Sequence, residues 1–109
     1  MRAWIIVFSK LPAQGMAIFP FILVKRSALK NDVFLINHEK IHFKQQLELL
    51  LVFFYILYFL NYFINLFKYK NHHQAYLNIC FEREAYRHEK DLKYLANRKL
   101  FSWINFYSV

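Results

Sequence analysis

The chain has 109 residues, with 15 Lys and Arg against 7 Asp and Glu, a formal charge of +8 and one cysteine. That length fits one domain, 1–109, and a 58% hydrophobic, 21% aromatic composition excludes disorder and collagen-like repeats. The single glycine excludes a glycine-rich phosphate loop, and the single cysteine, Cys80, excludes a disulfide framework or a cysteine-based zinc finger.

A mean hydropathy of +0.14 beside a pI near 9.7 directs the basic side chains toward lipid headgroups. The cations are dispersed and no nucleic-acid-binding motif accompanies them, so a nucleic-acid partner is not expected.

Residues 1–37 read as an N-terminal segment built on a small β-hairpin. Arg2 could open a secretory signal, but the apolar run Trp4–Phe8 is too short for one. The run Ala17–Val24 is too short to span a bilayer, and Pro20 at its middle would break a helix, so an edge strand is expected there. Polar residues 25–32 then lead to Val33–Ile36, read as the second strand, with Asn31-Asp32 near the turn.

Asn37 is a suitable N-cap for a helix beginning at His38. After about three amphipathic turns it becomes apolar. Leu49–Phe67 contains 19 residues with no formal charge, a length of about 28 Å if helical, which suits a membrane. Tyr55, Tyr58, Asn61, Tyr62, Asn65 and Tyr69 fall within a sector of roughly 120°. One face is therefore expected to meet protein or an interface, and the other lipid. Lys68–His73 is a polar break, Gln74–Leu100 reads as a second long helix, and the tail from Phe101 to Val109 is aromatic enough to lie at a membrane interface. The expected fold is mainly α with an N-terminal β-hairpin: a helix and hydrophobic segment over 38–67, and a glutamate-bearing helix over 74–100 packed against the first. The expected location is the membrane.

His38-Glu39-Lys40-Ile41-His42 matches H-E-x-x-H. On a helix the i, i+4 spacing puts both imidazoles on one face, where two ring nitrogens can share a zinc ion. Glu39 is long enough to reach a zinc-bound water and act as its general base. A peptidase site needs a third protein ligand. The extended pattern with glycine and a third histidine fails, because Gln45 and Glu48 stand at those positions. Glu82 and Glu84 on the second helix are the better supply. They lie about 200° apart on a helix, so only one can face the metal.

H-E-x-x-H, a membrane-type helix and then Glu82-Arg83-Glu84-Ala85 resemble the membrane gluzincins, which include β-lactam-sensing antirepressor peptidases, type I CAAX prenyl proteases and the soluble minigluzincins. The resemblance covers roughly His38 to Glu89. It implies that Glu82 is the third zinc ligand, that Ala85 lets two helices approach closely, and that an edge strand aligns an extended substrate. Tyr86 stands where the family usually has aspartate, and Glu89, one turn on, is the carboxylate that would take its place in orienting a ligand imidazole.

A straight crossing by Leu49–Phe67 would leave His42 and Glu82 on opposite sides of the membrane. The ligands meet only if the chain folds back or if the hydrophobic helices stack without spanning, and Asn61 and Asn65 bracket the expected place for a kink or re-entrant turn. Seven basic residues precede Leu49 and eight follow Phe67, which argues against a simply oriented span. His72, His73 and His88 read as solvated, and Cys80 as a small buried hydrophobe. The function expected is a small membrane-associated zinc metallopeptidase acting on a polypeptide. The alternatives are a non-catalytic membrane protein that keeps the scaffold as a sensor or regulatory subunit, and a structural membrane peptide in which the motif is accidental.

Overall fold

The computed structural model describes residues 3–107. Arg2 and the last two residues of the aromatic tail lie outside them. The chain is mainly helical, with a three-stranded sheet near the N-terminus.

The sheet corrects the expected hairpin. Strands β1 (Trp4–Val7), β2 (Gly15–Ile18) and β3 (Phe21–Val24) lie in the order β1-β3-β2. β2 and β3 form the antiparallel hairpin, with Ile18 opposite Phe21, and Phe19-Pro20, a cis peptide, forms its two-residue turn. Pro20 is thus at the turn, where its missing N–H leaves no ladder bond unmade. β1 pairs in parallel with β3, from Trp4 opposite Phe21 to Val7 opposite Val24. In the central strand Ile22 and Val24 point the same way, and with Ala17 they bury against Phe43 of the first helix.

Val33–Ile36 is not a strand. It is the first turn of α1 (Val33–Glu48), capped by Asp32, whose side chain accepts a hydrogen bond from the Leu35 N–H at 3.1 Å. The cap overrides the β-branched content. Asn37, expected as the cap, is a buried helix residue instead.

α1 stops at a leucine triplet. Leu50 and Leu51 both adopt positive φ, 56° and 60°, and the Leu51 N–H bonds back to the Gln46 carbonyl at 2.7 Å. The chain reverses here and enters α2 (Val52–Tyr69), which runs unbroken through Asn61 and Asn65. The expected turn near residue 62 is therefore replaced by reversals at each end of α2, the second at Lys70, also left-handed.

The tyrosine and asparagine stripe of α2 faces the protein. The Tyr55 hydroxyl donates to the Ala17 carbonyl (3.0 Å), Asn61 Oδ1 accepts from the Cys80 N–H (2.9 Å), and Asn65 Nδ2 donates to the Ala75 carbonyl (3.1 Å). The later partners run backward along α2, so the returning chain lies antiparallel to it. Phe53, Ile56, Phe59, Leu60, Phe63, Ile64 and Phe67 remain exposed on the opposite side. α2 is long and apolar enough, by length and composition, to cross a membrane, and only 11% of it is buried.

The expected helix over 74–100 is divided into α3 (His72–Leu77), α4 (Cys80–His88) and α5 (Tyr94–Asn97), followed by a 3-10 turn at Ser102–Phe106. Asn71 caps α3. The break after it falls at Ile79, whose backbone is extended. Asn78 holds it there: its amide donates to the Gln74 carbonyl at 2.8 Å and accepts from Arg83 at 2.7 Å. Ile79, Cys80 and Phe81 then pack with Phe54 in the second hydrophobic cluster.

The left-handed reversal yields a test. Leu50 is 73% exposed, so its substitution would ordinarily leave stability nearly unchanged. Leu50→Ile should instead cost about 1 kcal/mol, because a β-branched residue resists positive φ. Leu50→Gly should be neutral or stabilising by up to about 1 kcal/mol. Denaturant unfolding of the detergent-solubilised chain measures both, and equal effects would refute the reversal.

Candidate metal centre

α1 presents His38 and His42 one turn apart on its inward face, with ring centroids 4.9 Å apart. α4 presents Glu82 across from them. Glu82 Oε1 stands 3.1 Å from His38 Nε2 and 3.1 Å from His42 Nε2. All three residues are buried, at 4–5% exposure, and their ligand atoms lie within 4.8 Å of one another.

The far side of each ring decides what those Nε2 atoms carry. His38 Nδ1 meets Glu89 Oε1 at 2.8 Å, and His42 Nδ1 meets Gln45 Oε1 at 2.7 Å. Gln45 is held in that orientation because its amide nitrogen donates to the Phe81 carbonyl (3.0 Å) and to Glu84 Oε1 (2.9 Å). A carboxylate and an amide oxygen only accept, so both protons belong on Nδ1 and each neutral ring offers its Nε2 lone pair inward. Two lone pairs and a carboxylate oxygen then converge with no hydrogen between them. Only protons or a cation relieve that arrangement. Tetrahedral zinc, at 2.0–2.1 Å from its ligands, spaces them by about 3.3 Å, close to the 3.1 Å that separates Glu82 Oε1 from each histidine Nε2. The His-His-Glu group could hold a metal ion.

The electrostatics of the metal-free chain follow. Burial alone would raise the Glu82 carboxyl, but the two histidines overcome it and hold Glu82 well below the usual carboxylate range. Burial would likewise lower His42, yet the charge and hydrogen bond of Glu82 push it up to about 9. A proton on His42 Nε2 would stand between the ring and Glu82, in the place a cation would take. The Tyr58 hydroxyl donates to Glu82 Oε2 at 2.6 Å and fixes the carboxylate plane.

Glu39 sits beside this group and joins the wall of a cleft of about 440 Å³, lined also by His38, Gly15, Leu35, Tyr76 and Tyr86. Burial raises its pKa above the usual carboxylate value. Gly15 on the edge strand approaches Glu39 closely: a Cβ there would lie 3.1 Å from Glu39 Oε2 and 3.2 Å from Leu35, so those side chains would have to give by a few tenths of an ångström. Glu84, the rival third ligand, is turned away and bonded to Arg98 and Tyr94. Tyr86 packs edge-on against the His38 ring at 4.4 Å, while Glu89 supplies the carboxylate on Nδ1. His72 bonds Tyr62, and His88 stacks on Tyr94 at 3.8 Å, so neither joins the group. Cys80 is buried among apolar side chains, and burial pushes its thiol up to about 12, which leaves it a hydrophobe rather than a nucleophile.

No family model, curated protein or solved structure matches this chain. The likeness to gluzincins rests on the residues alone.

Sequence reasoning missed Arg98 and the roles of Gln45 and Asn37. Asn37 Nδ2 donates to the carbonyls of Glu89 (2.8 Å) and Asp91 (3.2 Å) at the end of α4, tying that end to α1. The one available signal was Gln45-Gln46, two amides just ahead of an apolar run; both are fully buried.

Proton competition gives a measurable consequence. Below the His42 pKa of about 9 its proton must leave before Nε2 can ligate. Apparent affinity for chelator-buffered Zn²⁺ should therefore rise about tenfold per pH unit up to that value and level off above it. A pH-independent affinity would contradict the protonated metal-free state.

Proposed function

We propose that the chain is a small membrane-associated zinc metallopeptidase of gluzincin type, acting on a polypeptide substrate. The observation that carries the reading is the convergence of His38 Nε2, His42 Nε2 and Glu82 Oε1, with a carboxylate, Glu39, beside them on a cleft wall. Bound zinc would lower the pKa of its water toward neutrality and polarise the scissile carbonyl. Glu39, raised by burial, is suited to take the water's proton near neutral pH and return it to the leaving amine. Gly15 keeps the edge strand close enough to Glu39 for an extended peptide to lie along the cleft. His38 and His42 are oriented by Glu89 and Gln45, the outer partners that ligand imidazoles require.

The exposed face of α2 supports residence on a membrane. Its opposite face is committed to protein, so the helix is read as embedded along one side rather than ringed by lipid. This keeps His42 and Glu82 on the same side of any bilayer, since Tyr58 of α2 touches Glu82 directly.

A second reading, a non-catalytic scaffold with a structural metal, is favoured by one observation. His42 and Glu82 are buried at about 5% exposure, and neither lines the cleft. Structural zinc sites are closed in this way, whereas catalytic ones keep an open position.

Metal analysis and turnover separate the readings. The wild-type chain should retain one zinc, lost in His38→Ala and Glu82→Ala. In Glu39→Gln zinc should remain while hydrolysis of a peptide library falls by about 10²–10⁴-fold. Zinc with no turnover in the wild type would select the scaffold, and a metal-replete chain without zinc would exclude both. For the membrane, Phe59→Asp with Phe63→Asp should abolish flotation with anionic liposomes, and unchanged flotation would remove α2 as the anchor.

A further inference from the structure

Arg98 lies beyond every element that supplies a ligand, yet it closes a buried network that ends on His42. Its Nη1 and Nη2 donate to Glu48 at 2.7 and 3.1 Å, and its Nε and Nη2 donate to Glu84, the latter at 3.1 Å. The side chains of Arg98, Glu48 and Glu84 are 2%, 6% and 0% exposed. The Tyr94 hydroxyl also donates to Glu84, and the Phe101 N–H to Glu48 at 2.8 Å, so the segment from 94 to 101 is pinned to α1 and α4 by these two carboxylates.

Glu84 Oε1 is in turn one of the two acceptors that orient the Gln45 amide. We infer that Arg98 is a positioning residue for the metal centre, holding Glu84 in place so that Gln45 keeps its oxygen on His42 Nδ1 and His42 keeps its Nε2 lone pair free. The inference rests on the metal-binding reading above and extends it to a segment outside both ligand-bearing motifs.

The physical logic is a choice between two amide orientations. With Glu84 anchored, the amide nitrogen of Gln45 has two acceptors and its oxygen faces His42. Without Arg98, Glu84 is a buried carboxylate with no cation beside it, and it loses the two bonds that hold its Oε1 against the Gln45 amide. Gln45 then loses an acceptor and can turn its NH₂ toward Nδ1. A ring nitrogen that accepts there moves the His42 proton to Nε2, the atom the metal needs. Metal binding is therefore coupled to docking of the C-terminal segment, through Arg98, Glu84 and Gln45 in succession.

The test compares Arg98→Met with Arg83→Met in the full-length chain. Arg83 anchors the same C-terminal region, through Phe106 O at 3.2 Å, but its remaining contacts go to Asn78 and do not reach Gln45. Two readouts are taken: zinc affinity against a competing chelator, and the ¹⁵N shifts of the His42 ring in the metal-free chain at a pH where it is neutral. Arg98→Met should weaken zinc binding about 10–100-fold and move the His42 signature from Nδ1–H to Nε2–H, with Arg98→Lys intermediate. Arg83→Met should change neither. Should Arg98→Met fail to fold, Glu84→Leu, which removes the acceptor from the Gln45 amide, carries the test with the same expected loss.

Wild-type affinity and tautomer in a folded Arg98→Met chain would overturn the inference and leave the metal reading intact. So would equal losses in the two arginine variants, which would trace the effect to global stability. No zinc in the wild type would overturn the metal reading and this inference with it.

Discussion

α1 buries a polar face, and the rest of the molecule is arranged to satisfy it. Asn37, His38, Glu39, His42, Gln45 and Gln46 are all below 7% exposed, while only Ile41 and Phe43 are apolar among the buried residues of that helix. Hydrophobic burial alone cannot hold such a surface, because each unpartnered donor or acceptor would cost about 1–3 kcal/mol. Gln46 reaches the sheet, bonding the Ala17 carbonyl and the Phe19 N–H. Gln45 and the two histidines reach α4, and the Asn37 amide donates to the carbonyls at its end. The sheet, α4 and the C-terminal segment are thus positioned by hydrogen bonds whose geometry is narrow, which makes the site precise where an apolar interface would be tolerant.

What was legible beforehand was local. The H-E-x-x-H spacing required only that residues 38–42 be helical, and the two-faced character of α2 followed from tyrosines and asparagines at three- and four-residue intervals. Choosing Glu82 over Glu84 needed the resemblance to a family; their roughly opposite directions on a helix show why only one can face the histidines, and the geometry shows what the other does. The errors were at boundaries. Val33 and Ile36 carry strand-forming side chains, but Asp32 was already in place to cap a helix. Asn78 was overlooked inside a long helical pattern, although an asparagine whose side chain competes for backbone groups is a known break.

The reversal at Leu50 and Leu51 was not legible at all. Leucine has no preference for left-handed backbone, and neither glycine nor asparagine marks the spot. What imposes the turn is tertiary. Gln46 binds the sheet on one side of it, and Tyr55 binds the same Ala17 carbonyl on the other, so both sides of the turn converge on one acceptor. A sequence window of ordinary length contains neither the strand nor the reason.

The antiparallel return of the chain along α2 has a consequence for assembly. His42 and Glu82 are 40 residues apart in sequence, and the whole apolar helix lies in the interval. A cation shared by them would staple that interval into a closed loop, and removing the loop's freedom in the unfolded chain is worth about 4 kcal/mol for a loop of this size. The same ion would oppose any separation of α2 from its tyrosine-bonded partners. Such an ion could be held only once α4 has packed against α1, and it would lock the orientation in which the exposed apolar side of α2 faces outward.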